Sequence, residues 1–465
     1  MFEQLLKNVP DYQAFLSVDE MDEHSLALAK KYPDICICTL EGYSRAGHPI
    51  YCLKIGNGAK NAFLFGCPHP NEPMGAMILE YFSEALCKDE HLREELGYTW
   101  YLIKSIDVDG TKLNEKWFKG PFNLYTYARN FFRPAGYEQA EWTFPIEYKK
   151  YKFDRPIPET QILMKIIDQV QPDFLYSLHN AGFGGAYWYI TYPTTGLWEK
   201  FYQAVKKNGI PLHLGEPEAP FIVPFAPAIY KMTGLKDNYD FMEQFSNRPA
   251  EETMMAGASS DEYSSKYHTC CLVAELPYYY TPKIEDHTEM PMTRKEAALK
   301  GAKFSYDDTQ MKHALFKKYE AYVTDGNPYA KMLKMVFAMN DDQYQSQVAF
   351  IESNEDFNKP CKVSEAFDNY DVKHFYVLLY WGLLIRGLEY ELTHVTKTEK
   401  KSLESLLAEF ETAMKKDAEI AESILKYEFV PIQRLVRAQL ESGLLVADYI
   451  AHDPRYQLDL HKQSQ

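Results

Sequence analysis

Apolar positions fall into two rhythms along this chain, and the change comes near residue 300. Before it, apolar or alternating runs of strand length (35–40, 50–55, 62–67, 98–103, 173–178, 186–192 and 271–276) are interleaved with helical spacing at 22–31, 73–85 and 160–170. Strands alternating with helices predict an α/β sheet with helices on its faces. From Arg294 onward the spacing is almost wholly helical. In 398–427, Leu403, Leu406, Leu407, Phe410, Met414, Ile420 and Ile424 recur at steps of three and four, the stripe of an amphipathic helix. Further helices are predicted near 308–323, 328–351, 371–393 and 431–449. The architecture that follows is α/β, a mixed, mainly parallel central sheet flanked by helices over 1–300, then an all-α C-terminal region over 301–465.

Composition narrows the class. A chain of 465 residues with 46% hydrophobic and 25% charged positions is globular. Its net charge of −16 argues against a general nucleic-acid binder and against adhesion to anionic membranes. The first residues lack the basic start and apolar core of a signal peptide. The longest apolar stretch, Phe375 to Ile385, falls well short of the roughly 20 residues that a spanning helix needs. A soluble, cytoplasmic protein is therefore expected. The 8 cysteines form no regular framework and read as reduced thiols, with no C-x-x-C pair to hold a structural zinc.

The candidate chemistry lies at strand ends. His69 and Glu72 follow the run 62–67 in a turn that leads to Pro73, a residue suited to a first helical position. His179 ends the run 173–178, and Glu275 ends Cys271-Leu272-Val273-Ala274. Loops at strand ends are where α/β sheets place their sites. Three ligands of nitrogen and oxygen type, two close together and one distant, are what an open zinc site requires. A second His-x-x-Glu, His91 to Glu94, sits inside a charged run and reads as a solvated helix face. Glu275 is unusual because burying a carboxylate after four apolar residues costs several kcal/mol unless it has a partner.

Over most of the first 280 residues the chain resembles the zinc metallocarboxypeptidases, or funnelins. The likeness rests on Gly42 to Ile50, His69-Pro70-Asn71-Glu72, Asp107-Val108-Asp109-Gly110, Arg129-Asn130-Phe131, Ser177-Leu178-His179 and Ala274-Glu275. The resemblance implies one zinc ion held by His69, Glu72 and His179, with Glu275 as general base and acid. It further implies Arg129, with Asn130, as the grip on a substrate carboxylate. Lys119 fills the place of the family's oxyanion-stabilising arginine. Ala128 stands where the family has an asparagine, Asp107-Val108 replaces Asn-Pro, and about 96 residues separate His179 from Glu275. That long segment implies loops over the cleft, and Tyr230, Tyr239 and Tyr263 are equal candidates for an assisting tyrosine.

The leading expectation is a metallocarboxypeptidase acting on small peptides, with cell-wall peptide fragments among them if the source is bacterial. The alternatives are an N-acyl amino acid deacylase of the aspartoacylase and succinylglutamate desuccinylase type, and a non-catalytic zinc-binding protein on the same scaffold. Expected partners are a peptide or acyl-amino-acid substrate, with neither nucleic acid nor membrane. The helical C-terminal region is assigned to packing, to shaping the cleft mouth, or to homo-oligomer formation.

Overall fold

The computed structural model describes residues 2–456; the last part of the predicted helical region, 457–465, lies outside the described residues. A nine-stranded mixed sheet forms its centre. In chain order the strands are β1 (Cys36–Tyr43), β2 (Pro49–Ile55), β3 (Lys60–Phe65), β4 (Tyr98–Ile103), β5 (Phe174–Ser177), β6 (Tyr187–Ile190), β7 (Pro224–Ala226), β8 (Ile229–Lys231) and β9 (Cys270–Glu275). Their order across the sheet is β1-β2-β4-β3-β5-β9-β6-β8-β7. The run β4-β3-β5-β9 is parallel, while β1-β2, β2-β4 and β9-β6 are antiparallel. Because β3, β5 and β9 are parallel neighbours, the residues that follow them emerge at one edge. His69, Glu72, His179 and Glu275 therefore share that edge by topology alone.

The central strands are buried on both faces, and alternate residues enter two different cores. Leu64, Trp100, Tyr176 and Leu272 face one core; Phe63, Ile103, Leu175 and Cys271 face the other. The second core is closed by α1 (Val18–Lys31), which starts on a Ser17–Glu20 capping box, and by a later helix of 158–170 that begins on Pro158. The first core is closed by α2 (Met74–Lys88), through Ile78, Leu79 and Phe82, and by the last helix of the chain.

The remaining helices used below are α3 (Val108–Phe118), α4 (Leu124–Asn130), α5 (Pro158–Val170), α6 (Arg294–Phe316), α7 (Pro328–Ser353), α8 (Lys373–Leu392), α9 (Lys397–Leu425) and α10 (Ile432–His452). The expected helix at 308–323 is displaced: α6 begins at a capping box between Thr293 and Glu296. Its first turns carry Ala297, Ala298, Gly301 and Ala302, small residues with little apolar rhythm. They are small because α6 packs tightly, and a Cβ at Gly301 would stand 1.7 Å from the Asn369 carbonyl oxygen. The segment between His179 and Glu275 differs from the expected loops as well. Part of it turns through Ala228, at φ 57°, and adds β7 and β8 to the sheet.

The change of rhythm at residue 300 marks a change of secondary structure without a break in packing. One hydrophobic cluster runs from Leu64, Trp100 and Tyr176 through Leu383 of α8 and Phe410 of α9 to Leu435 and Val446 of α10. Among the described residues no helix is long and apolar enough to cross a membrane.

Candidate metal centre and active site

A tight turn and one close approach bring the first loop to the second strand end. The chain leaves β3 through Cys67, at φ 51°, and the turn closes with the Glu72 N–H donating to the His69 carbonyl at 3.0 Å. Gly75, in the first turn of α2, lies so near Leu178 that a Cβ there would come within 2.5 Å of the leucine Cβ. The loop thus lies directly over His179.

His69 Nδ1 is 3.2 Å from Glu72 Oε1 and 3.1 Å from His179 Nδ1, and His179 Nδ1 is 3.2 Å from Glu72 Oε2. One ligand atom from each residue lies within 4.8 Å of the others, and all three side chains are buried. Burial, reinforced by Arg133, lowers the His69 pKa to about 3, so its ring is neutral and offers a lone pair at physiological pH. Burial opposes the ionisation of Glu72, yet the two imidazoles hold its pKa below the usual carboxylate range. A carboxylate and two converging imidazole nitrogens form the donor set of an open zinc site. The fit is good.

A hydrogen-bonded chain behind the cluster orients His179. Its Nε2 is 2.8 Å from Ser177 Oγ, which donates to the buried Glu141 carboxylate at 3.3 Å. Glu141 is held in turn by the Ser260 hydroxyl at 2.6 Å and by its N–H at 3.1 Å. Such outer hydrogen bonds fix the ring and the nitrogen it presents.

Glu275 closes the arrangement, with Oε1 3.9 Å from His179 Nδ1 and a buried Oε2 without a hydrogen-bond partner. Burial, followed by the negative charges of Glu72 and Glu218, raises its pKa well above the carboxylate range, and Arg133 opposes this. An ionised Glu275 requires positive charge beside it, and the three ligands converge where a cation would supply that charge. Tyr187 pairs with Glu275 across β6 and β9. The Tyr187 and Tyr189 hydroxyls donate to Glu218 at 2.7 and 2.8 Å.

Other residues singled out by the resemblance lie elsewhere. Lys119 is at the surface, its Nζ paired with Glu20 Oε2 at 2.8 Å. Arg129 is held by Glu389 of α8 at 2.5 Å and Glu411 of α9 at 3.1 Å. Helix α8 crosses directly over this stretch: a Cβ at Gly382 would stand 1.9 Å from the Ala128 carbonyl oxygen. The Arg129 guanidinium is thus engaged by carboxylates of the C-terminal helices. Asn130 bonds back to the Thr126 carbonyl at 2.9 Å, and its own carbonyl accepts from Arg386 at 2.6 Å.

The cation the structure brings to the cluster is Arg133, which sequence reasoning missed. Its Nη1 is 3.7 Å from Glu72 Oε1 and its guanidinium lies 5.1 Å from the Trp142 ring centroid. Trp142 also meets His69 edge to face at 5.0 Å. The only hint in the sequence was a second arginine four residues beyond Arg129. None of the three candidate tyrosines is brought to the metal ligands. Tyr230 packs with Tyr187 and Tyr189, Tyr239 donates to Glu251, and Tyr263 donates to Asp168.

The zinc carboxypeptidase family model matches residues 21–350. No curated protein matches the chain. Among solved structures, the chain is similar to a metallo-carboxypeptidase from Burkholderia cenocepacia, at 13% identity and TM-score 0.34 over 56% of this chain and 60% of that one. It is also similar to carboxypeptidase A from Helicoverpa armigera, at 15% identity and TM-score 0.37 over 60% of this chain and 71% of that one. A third is murein-tripeptide amidase MpaA from Escherichia coli O157, at 16% identity and TM-score 0.26 over 52% of this chain and 82% of that one.

Proposed function

The chain belongs to the zinc carboxypeptidase family, and from that premise we propose that it hydrolyses the amide bond next to a free carboxylate in small peptides. The observation that carries this reading is the convergence of His69, Glu72 and His179 beside a buried, unpaired Glu275 oxygen. These three residues would hold one zinc ion. The chemistry such an ion supplies is polarisation of a carbonyl and acidification of a water.

The protein's own groups account for the rest. Glu275 takes a proton from the attacking water and returns it to the leaving amine. Its buried position suits the task, because a carboxylate destabilised by its surroundings is a stronger base once it ionises. Ser177 and Glu141 fix the nitrogen that His179 presents. Arg133 takes the role first assigned to Lys119, as the positive charge facing developing negative charge, or it pairs with the substrate carboxylate in place of Arg129.

Metal analysis of the purified protein, followed by a panel of short peptides and N-acyl amino acids, tests the proposal. Cell-wall peptide fragments belong in that panel. One zinc per chain and release of C-terminal residues are expected. Release of acetate or succinate instead would assign the deacylase reaction. Bound zinc without hydrolysis of any panel member would leave a binding protein.

A further inference from the structure

Beyond Tyr176 and Leu272 the parallel pairing between β5 and β9 stops, although β9 remains paired with β6 as far as Glu275. The gap between them is crossed by the Asn180 amide, which donates to the Leu276 carbonyl at 3.2 Å, and by a side chain from the far end of the sequence. Gln439, on α10, is wholly buried, and its Nε2 donates to the His179 carbonyl at 2.6 Å and to the Ala274 carbonyl at 2.8 Å. One amide nitrogen thus ties the backbone of a metal ligand to the residue immediately before Glu275.

The surroundings show how firmly that nitrogen is placed. The Gln439 carbonyl accepts from the Tyr176 hydroxyl at 3.0 Å, and Ser442, one turn further, accepts from Trp188 Nε1 at 3.0 Å. Gly443 lets the helix approach Tyr176, since a Cβ there would meet the ring at 2.6 Å. The Gln439 Oε1, by contrast, has no partner. An apolar side chain of the same length would spare the unpaired Oε1 but would leave the buried His179 and Ala274 carbonyls without this donor. The two donated bonds are what the amide adds.

We propose that Gln439 is a positioning residue of the active site, setting the distance between the His179 ligand and Glu275. The helical C-terminal region is then part of the catalytic apparatus, although α10 lies outside the stretch that the family model matches. This rests on the reading of His69, Glu72 and His179 as the metal ligands and Glu275 as the base.

The test compares Gln439→Met, which keeps the length and donates nothing, with Ser442→Ala, which alters the same helix without touching the site. Zinc affinity is measured by competition with a chromophoric chelator, and ligand geometry by the visible spectrum of the cobalt-substituted protein. Gln439→Met is expected to fold with a modestly lowered melting temperature, lose zinc affinity on the order of 10-fold and shift the cobalt spectrum. Ser442→Ala should change neither. In peptide hydrolysis kcat should fall while KM stays within a factor of about two. Wild-type affinity and spectrum in Gln439→Met would overturn the proposal. If that variant does not fold, Gln439→Glu, which keeps the outline of the side chain, decides by the same measurements. Failure of both to fold would assign Gln439 to stability alone and likewise overturn it. The underlying reading fails separately: a wild-type protein that binds no zinc, or binds it and cleaves nothing, is recognised before any variant is made.

Discussion

Arg133 Nη1 stands 3.7 Å from the Glu72 carboxylate, the only carboxylate in the ligand set, while its Nε donates to Gln139 at 3.1 Å. That separation is too long for a direct hydrogen bond and short enough for strong electrostatic coupling in a buried site. If Arg133 stabilises charge in the reaction, Arg133→Ala should lower kcat/KM by about 10²–10³-fold. Lys119→Ala should leave it unchanged, because that ammonium is engaged with Glu20 at the surface. Steady-state assays of the two variants side by side check this; equal effects would remove Arg133 from the mechanism.

Glu275→Gln keeps the shape of the side chain and removes its basicity. The variant should bind zinc as the wild type does and lose about 10²–10⁴-fold in kcat. His69→Ala removes a ligand and should lose the metal itself. Zinc content by elemental analysis, read against turnover, separates the two, and an active Glu275→Gln would discard the assigned base.

Asp107 gives a pH signature independent of activity. It caps α3, accepting from the Gly110 N–H at 2.9 Å, and its other oxygen is buried without a partner. Burial, against the opposing charge of Arg45, raises its pKa from 3.8 to about 7. As pH rises from about 4 the unfolded chain gives up this proton first, so Asp107 lowers stability progressively across about pH 4–7 and no further above it. Asp107→Asn should therefore gain stability over the wild type across that window, by at most about 1.4 kcal/mol per pH unit. Urea unfolding at pH 5 and pH 8 measures it, and a difference independent of pH would contradict the assignment.

Gly382 tests the docking of α8 on α4. A methyl group at this position must displace the Ala128–Arg129 backbone, so Gly382→Ala should destabilise by about 1–3 kcal/mol and lower the melting temperature. An unchanged melting temperature would mean that the helices have room to part.

The cluster of His69, Glu72 and His179 with Glu275 beside it was legible in the sequence because each follows or ends an apolar strand, and parallel pairing of β3, β5 and β9 does the rest. Helix periodicity placed α7 to α10 closely, since Leu403, Phe410 and Met414 lie on one buried stripe. The partners of Arg129 were not legible, for a physical reason. A local match to a motif carries no information about a later helix, and Glu389 and Glu411 arrive from 260 and 282 residues away. Arg133, Glu141 and Gln439 escaped notice on similar grounds, because each acts through a neighbour that only the folded chain supplies. The start of α6 was hidden by its small residues, whose packing against Asn369 has no apolar rhythm.

Gln439 is synthesised 260 residues after His179 and 165 after Ala274. During translation, the nascent chain carries all its zinc-binding side chains long before the clamp that sets their spacing has emerged. On the proposed role of Gln439, a polypeptide released before the final helix would carry the ligands on strand ends held by β3, β6 and Asn180 alone.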